Sequence, residues 1–437
     1  MAFTKSNVEE LSAALGEPGW VLDRRLEAWR SFEALDIPNE KEEPWRYTDL
    51  RRLRFDLDQF TPALPKAITR VSNEAEELVR QEGDRAGYLI QRDADVAHVE
   101  LDPSLAGKGV ILSDLNSAIQ EHGDLIKDHL FKDLAHENVF KALHRSLFCG
   151  GTFLYVPKGV TVALPIEGQH WIEQSGFATF PHTLIVVEED AEVVYFERLQ
   201  SSVDKPSLSD AGLEVAAGRA ARISIVSLQE LGPEVWHFQS QRTATEADVQ
   251  LRSLVVTLGA RFSRNEVSTV IEGERSAIEM LGLYFAESGQ HFDFRTLQDH
   301  VAGQSKSDLL YKGALKDESR AVYAGLIRVN KGAAYTDAYQ TNRNLVLSDH
   351  AKADSKPELE IENNEVKCSH AASVSQIEEN ELFYLQSRGI PNHEAQRLIV
   401  HGFFEDVVSR IRNTEIRTVL LEAIETKLAG SARAQAA

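Results

Sequence analysis

Two cysteines in 437 residues leave no material for a disulfide scaffold. Long apolar runs are also missing, and none approaches the roughly 18 residues that a spanning helix needs. From Met1 to Leu15 there is no basic-then-apolar leader pattern. Basic residues are few: 47 Lys and Arg stand against 68 Asp and Glu, a formal charge of −21. That balance argues against nucleic acid or an anionic membrane surface as the main partner, while allowing a local basic patch. Common chemical signatures are absent together. There is no G-x-x-x-x-G-K-S/T, no G-x-G-x-x-G between a strand and a helix, no H-E-x-x-H, no C-x-x-C and no G-x-S-x-G. The expectation is a cytoplasmic protein that is not itself an enzyme.

What is present is globular: 43% hydrophobic and 26% charged residues. The length allows one large domain or two to three ordinary ones. Residues from about 5 to 60 read as helical and amphipathic, with Trp20, Leu22, Leu26, Trp29 and Phe32 near helical spacing. Within them, Lys41 to Leu50 is a Pro-punctuated link into another short helix. Residues from about 60 to 110 are mixed, with a strand-like piece at Ala86 to Ile90. Ser113-Asp114 reads as a cap before a helical block carrying Leu115, Ile119, Leu125 and Ile126.

From about Gly150 to Ser369 the pattern changes. Short runs such as Leu184 to Val187, Val193 to Phe196, Ile223 to Val226, Leu281 to Phe285 and Leu326 to Val329 alternate with small polar turns. The turns include Glu189-Asp190, Gly273-Glu274, Lys331-Gly332 and Asn363-Asn364. Their gaps cluster near multiples of roughly 14 residues, with about 28 recurring, the spacing of a repeat architecture. No helical pattern separates the strands, which disfavours a doubly wound α/β sheet. A β-helix fits this ladder better than a stack of ordinary sandwiches. After about Ser373 the chain turns helical again. Arg388-Gly389-Ile390-Pro391 reads as a stop and Asn413-Thr414 as a cap, and the tail from Gly430 as frayed. The resulting division is a helical and mixed region 1–148, a β-helix core 149–371 and a helical domain 372–437.

One local constellation stands out, Lys367-Cys368-Ser369-His370. In an extended segment Cys368 and His370 share a face, with Cα atoms about 7 Å apart. A thiolate and an imidazole so placed can address one metal ion or cluster. The same residues also suit a small buried hydrophobe and a hydrogen-bonded bridge into the next helix. Two ligands are too few for a structural zinc site, so any metal needs donors from elsewhere, such as another chain. Cys149 reads as core packing. A Cys–His hydrolase on either cysteine would need a cleft and an orienting third group. In the C-terminal helices Leu398, Ile399, Phe403, Leu420, Leu421 and Ile424 exceed what a small helical pair needs for its own core. Leu398, Phe403, Leu420 and Leu421 are therefore candidates for a partner surface.

Four segments carry a family resemblance: Glu43 to Leu50, Phe153 to Val160, Ala353 to Ile361, and Val366 to His370 continuing through Leu382 to Ile390. Together they resemble the SufB/SufD family of iron–sulfur cluster assembly proteins over about residues 15–428. Trp45-Arg46-Tyr47-Thr48 and Lys367-Cys368-Ser369-His370 bring the chain nearer the SufD than the SufB members. The resemblance implies a right-handed parallel β-helix with helical N- and C-terminal parts. It implies a non-catalytic scaffold subunit that pairs with SufB through the β-helix ends and binds the ATPase SufC on its C-terminal helices. It makes His370, with Cys368 beside it, a candidate ligand of a transient iron–sulfur cluster shared with SufB. It leaves open whether the isolated chain forms a homodimer. The competing class is a β-helix carbohydrate-active enzyme resembling polysaccharide lyases, which the missing leader and the lack of an aspartate cluster disfavour.

Overall fold

The computed structural model describes residues 2–65, 84–132 and 137–436. The first strands are β1 Thr61–Pro62, β2 Gly87–Arg92, β3 Asp95–Leu101, β4 Ile111–Asp114, β5 Thr152–Val156, β6 Ile166–Ile172 and β7 Phe177–Thr179. Fourteen more follow in strict alternation between two sheets. Sheet A takes β8 His182–Val187, β10 Ser207–Ala217, β12 Val235–Thr245, β14 Phe262–Ile271, β16 His291–His300, β18 Arg320–Val329 and β20 Lys352–Ile361. Sheet B takes β9 Glu192–Ser201, β11 Arg222–Glu230, β13 Gln250–Thr257, β15 Ala277–Ala286, β17 Lys306–Leu315, β19 Asp337–Val346 and β21 Lys367–Gln376. Every neighbouring pair among these fourteen strands is parallel, so the chain winds as a parallel β-helix of about eight turns, beginning at β5 and β6. The β-helix reading therefore holds over stacked sandwiches.

The in-register column Val187, Ala217, Thr245, Ile271, His300, Val329, Ile361 advances by 26 to 32 residues per turn, matching the spacing of about 28 read from the turns. One turn position recurs in the left-handed region: Asp190, Ala220, Asp248, Arg275, Gln304 and Tyr335. Each donates its N–H to the next turn's carbonyl, from Asp190 to Arg219 (2.8 Å) through Tyr335 to Glu365 (2.7 Å). The backbone at these residues is shaped by stacking, even though only small or polar residues visit that region easily. Inside, large and small side chains interlock. A Cβ on Gly282 would meet the Tyr311 ring at 2.2 Å, and one on Gly313 the Tyr284 ring at 1.9 Å.

The two ends of the solenoid differ. At the N-terminal end β2 joins sheet B beside β6 and pairs antiparallel with β3, while β4 pairs antiparallel with β5. The strand expected at Ala86 to Ile90 is thus part of this cap, in the mixed part of region 1–148. Helices α1 Lys5–Leu15 and α2 Gly19–Ala34 pack with α6 Val139–Leu147 on an aromatic outer face of sheet A that includes Trp236, Phe238 and Phe262. Between them lie α3 Pro103–Ala106, α4 Leu115–Glu121 and α5 Gly123–Lys127. Asp114 caps α4 as its sequence suggests, its carboxylate accepting from Ser117 N.

The helical reading of 5–60 stops at Ala34. The segment beyond has only 3₁₀ turns, at Glu43–Trp45 and Leu57–Gln59. Tertiary contacts fix it instead: Arg264 lies 3.7 Å over the Trp45 ring and Thr48 Oγ1 donates to Asp293 at 2.6 Å. Of the mixed stretch near 60–110, residues 66–83 lie outside the described residues. At the other end, β21 runs to Gln376 and so crosses the expected 371/372 boundary. Helices α7 Glu379–Ser387, α8 Asn392–Val408 and α9 Thr414–Ala436 follow, with the stop and cap where the sequence places them. The tail expected to fray continues α9 to Ala436, in keeping with its alanine content.

Candidate functional site

The last turn, β20 with β21, has no strand beyond it among the described residues. Its hydrogen-bonding phase follows from its neighbours. Lys352 N donates to Ser319 O at 3.0 Å and Glu362 N to Val329 O at 2.8 Å, so even-numbered amides of β20 point into the fold. Odd-numbered groups, from Ala353 to Ile361, face the free edge. In β21, Lys367 N donates to Thr336 O at 2.8 Å, so Cys368, His370, Ala372 and Val374 face outward. This is a template for pairing with another chain.

The same turn uncovers its interior. Side chains that face the lumen are almost all buried in the earlier turns, but here Leu359, Ile361 and Val374 are exposed, the last at 49%. Tyr335, at 66%, stands on the adjacent turn. His370 and Cys368 belong to this set. They pair in register with Gln340 and Ala338, and strand alternation puts both on the lumen face. His370 is exposed, whereas Cys368 is half-buried against Ile327, Val329, Ala333 and Ala338. Burial pushes the Cys368 thiol above its ordinary value, so its thiolate needs a nearby cation. The structure therefore brings the two sequence candidates together on one accessible rim. No cluster of three or more His, Cys, Asp or Glu side chains suited to a metal ion occurs among the described residues. A bound metal would draw further donors from outside this set.

Cys149 sits far from this rim, in the core beneath α6. Its Sγ donates to Ala94 O at 3.5 Å, and burial raises its pKa to about 12. That agrees with a packing role.

The C-terminal helices divide the proposed partner stripe. Leu420 is completely buried against the outer face of sheet B, with Ile416, Ile424 and Leu428. It does not belong to any open surface, because the sheet's own Val226, Leu254 and Leu283 needed covering. Phe403 and Leu421 are partly buried on the same cluster, and only Leu398 of the four is exposed. Polar latches fix the helices there. The buried Lys312 donates from Nζ to Phe403 O at 2.8 Å, and Arg410 pairs with Asp308 at 2.6 Å. The open apolar surface is instead on α7, which buries no residue and presents Phe383 and Tyr384, with Leu398 exposed on α8. Sequence reasoning missed Phe383 and Tyr384 as surface groups. It also missed Ile361 and Val374, whose signal was their place as lumen residues of the final repeat.

The profile described as "SUF system FeS cluster assembly, SufBD core domain" matches residues 170–403, and that of the SufBD protein N-terminal region matches 16–167. The iron–sulfur cluster assembly protein SufD of Bacillus subtilis is 30% identical over 419 residues, 94% of this chain and 95% of its own length. SufB of the same organism is 28% identical over 415 residues, 92% of this chain and 88% of its own. A SufBD family protein of Staphylococcus haemolyticus matches at 28% with the same coverage. A parallel β-helix with helical parts at both ends and an unpaired terminal turn is the class of protein in hand. Within that class, the chain belongs to the SufB/SufD family of SUF-system iron–sulfur cluster assembly proteins.

Proposed function

We propose that this chain is a non-catalytic scaffold subunit of a cytoplasmic iron–sulfur cluster assembly complex. It pairs end to end with a SufB-type chain through β20 and β21, and it carries a SufC-type ATPase on its C-terminal helices. The nascent cluster is cargo, formed at the paired ends. His370 supplies a neutral imidazole there, and Cys368 supplies a thiolate once the metal's charge offsets its burial. The observation that carries this reading is the uncapped last turn. It combines free backbone groups, exposed lumen side chains and two soft-metal donors on one rim. Two donors leave a cluster incompletely held, which is why the site requires a second chain. Docking of the ATPase is assigned to α7 and the exposed side of α8, around Phe383, Tyr384 and Leu398.

The test is co-expression with SufB- and SufC-type partners, followed by anaerobic reconstitution and cluster absorbance. An assembled His370→Ala complex should form strongly reduced cluster. Full cluster yield in that complex would remove His370 from the ligand set.

A further inference from the structure

Between α6 and sheet A lies a chain of two imidazoles that neither the open rim nor the C-terminal helices use. His144 Nδ1 is 2.8 Å from the carbonyl oxygen of Asp210. His144 Nε2 is 3.0 Å from His182 Nδ1, and His182 Nε2 is 3.3 Å from Glu214 Oε2. Both rings are buried. The space between them is made by Gly212, where a Cβ would sit 2.3 Å from His182 Nδ1 and 2.6 Å from His144 Nε2.

The number of protons in this chain is fixed by its ends. The Asp210 carbonyl can only accept, so His144 Nδ1 carries a hydrogen. The contact between the rings needs one hydrogen. An ionised Glu214 can only accept, so His182 Nε2 carries another. Two neutral imidazoles hold two N–H groups, and three are required. We propose that the folded chain binds one additional proton in the His144–His182–Glu214 relay at neutral pH, and that this proton holds α6 and the turn at Phe131 against the solenoid.

The surroundings decide where the proton rests. Burial, then the neighbouring His182, hold the His144 pKa well below its ordinary value, with Arg145 and Arg25 acting in the same direction. Arg25 comes from α2 and is paired with Glu17, while Arg145 is paired with Glu137. On the sheet side, Asp210 Oδ1 lies 3.8 Å from His144 Nδ1, and burial and Glu266 push its carboxyl well above its ordinary value. Glu266 is itself engaged by Lys141 and Arg264. Glu214 Oε2 faces His182 Nε2 at 3.3 Å, and the proposed proton is placed on His182, between that carboxylate and His144. His144 stays neutral and accepts from His182 Nδ1–H. Glu214 Oε2 also accepts the Phe131 N–H at 2.8 Å, and the Phe131 ring lies 4.6 Å from that of His182. One carboxylate thus ties the imidazolium to a residue at φ +51°.

Losing the proton leaves two lone pairs facing each other between the rings, or breaks one of the outer bonds. Unfolded histidine releases its proton near 6.5, whereas the folded relay retains one. The stabilisation is fully present below about 6.5 and is lost as pH rises through the folded value.

The experiment is a ring-nitrogen NMR spectrum of the full chain labelled with ¹⁵N-histidine, with signals assigned through His144→Asn and His182→Asn. At pH 7, three of the four ring nitrogens should be protonated. Raising the pH should remove the third N–H and lower Tm over the same interval. Glu214→Gln keeps the shape and removes the charge; it should lose the third N–H at pH 7 and flatten the Tm dependence. Two N–H groups in the unmodified chain at pH 7 overturn the proposal, and that spectrum decides even if Glu214→Gln does not fold. Three N–H groups retained in folded Glu214→Gln overturn it as well.

Discussion

A proline at Leu359 should separate pairing from folding. The β20 amides alternate, and Leu359 shares the outward phase of Pro357, which the strand already carries. Its N–H serves no partner inside the β-helix, so Leu359→Pro removes a donor only from the free edge. The next residue back has the opposite phase. Glu358→Pro removes an inward ladder donor to Gly325 O, which keeps only Gln340 Nε2 at 3.2 Å, and should cost about 1–1.5 kcal/mol. Leu359→Pro should shift chain stability by less than about 1 kcal/mol, because its side chain is already partly exposed. At a paired interface it loses one hydrogen bond of about 1 kcal/mol, roughly a fivefold weaker complex. Leu359→Ala, which keeps the donor, isolates the side-chain contribution. Chemical unfolding of the isolated chain and titration against the SufB-type partner measure the two effects. Equal destabilisation of the free chain by both prolines would show that the phase of β20 is misassigned. Unchanged association of folded Leu359→Pro would show that this edge is not the interface.

In reconstituted complexes, Cys368→Ala should reduce cluster yield less than His370→Ala, since alanine keeps part of its packing; melting temperatures on the same preparations identify any loss due to misfolding. A thiol reagent at pH 8 should label Cys368 and spare Cys149, whose pKa lies near 12; native labelling of both would contradict the buried core around Cys149. Leu420→Ala should cost about 2–5 kcal/mol by opening a cavity on sheet B. Phe383→Ala should change stability by no more than about 0.5 kcal/mol while weakening ATPase capture; the reverse pattern in paired unfolding titrations and pull-downs would refute the division of the helices. Burial opposes ionisation of Glu266, but Lys141 and Arg264 bring its pKa down to about 2. Its stabilisation should persist above about 4.5 and fade as pH falls toward 2. Lys141→Met should shrink that acid-side change in unfolding titrations.

The β-helix was legible because its information is local and repeated. Runs such as Leu184 to Val187 and Ile223 to Val226 are short, the turns between them are small, and a period near 28 residues needs no knowledge of contacts. The caps at Asp114 and Asn413, the stop at Arg388 to Pro391 and the shared face of Cys368 and His370 were legible for the same reason. Each depends on residues a few positions apart.

What the chain packs against was decided only by the tertiary structure. Leu398 and Leu420 each lie on an apolar stripe in sequence, on α8 and α9, yet Leu420 is sealed on sheet B and Leu398 is open. The difference comes from β11, β13 and β15, more than a hundred residues earlier. Lys41 to Leu50 read as a Pro-punctuated link into another short helix, and instead Trp45, Thr48 and Glu43 are committed to Arg264, Asp293 and Lys356. The relay of His144, His182 and Glu214 draws on three separate elements, with no motif to announce it. Sequence periodicity states which side chains turn inward. It does not state which turn is the last, and a lumen residue becomes a surface residue only because no further turn covers it.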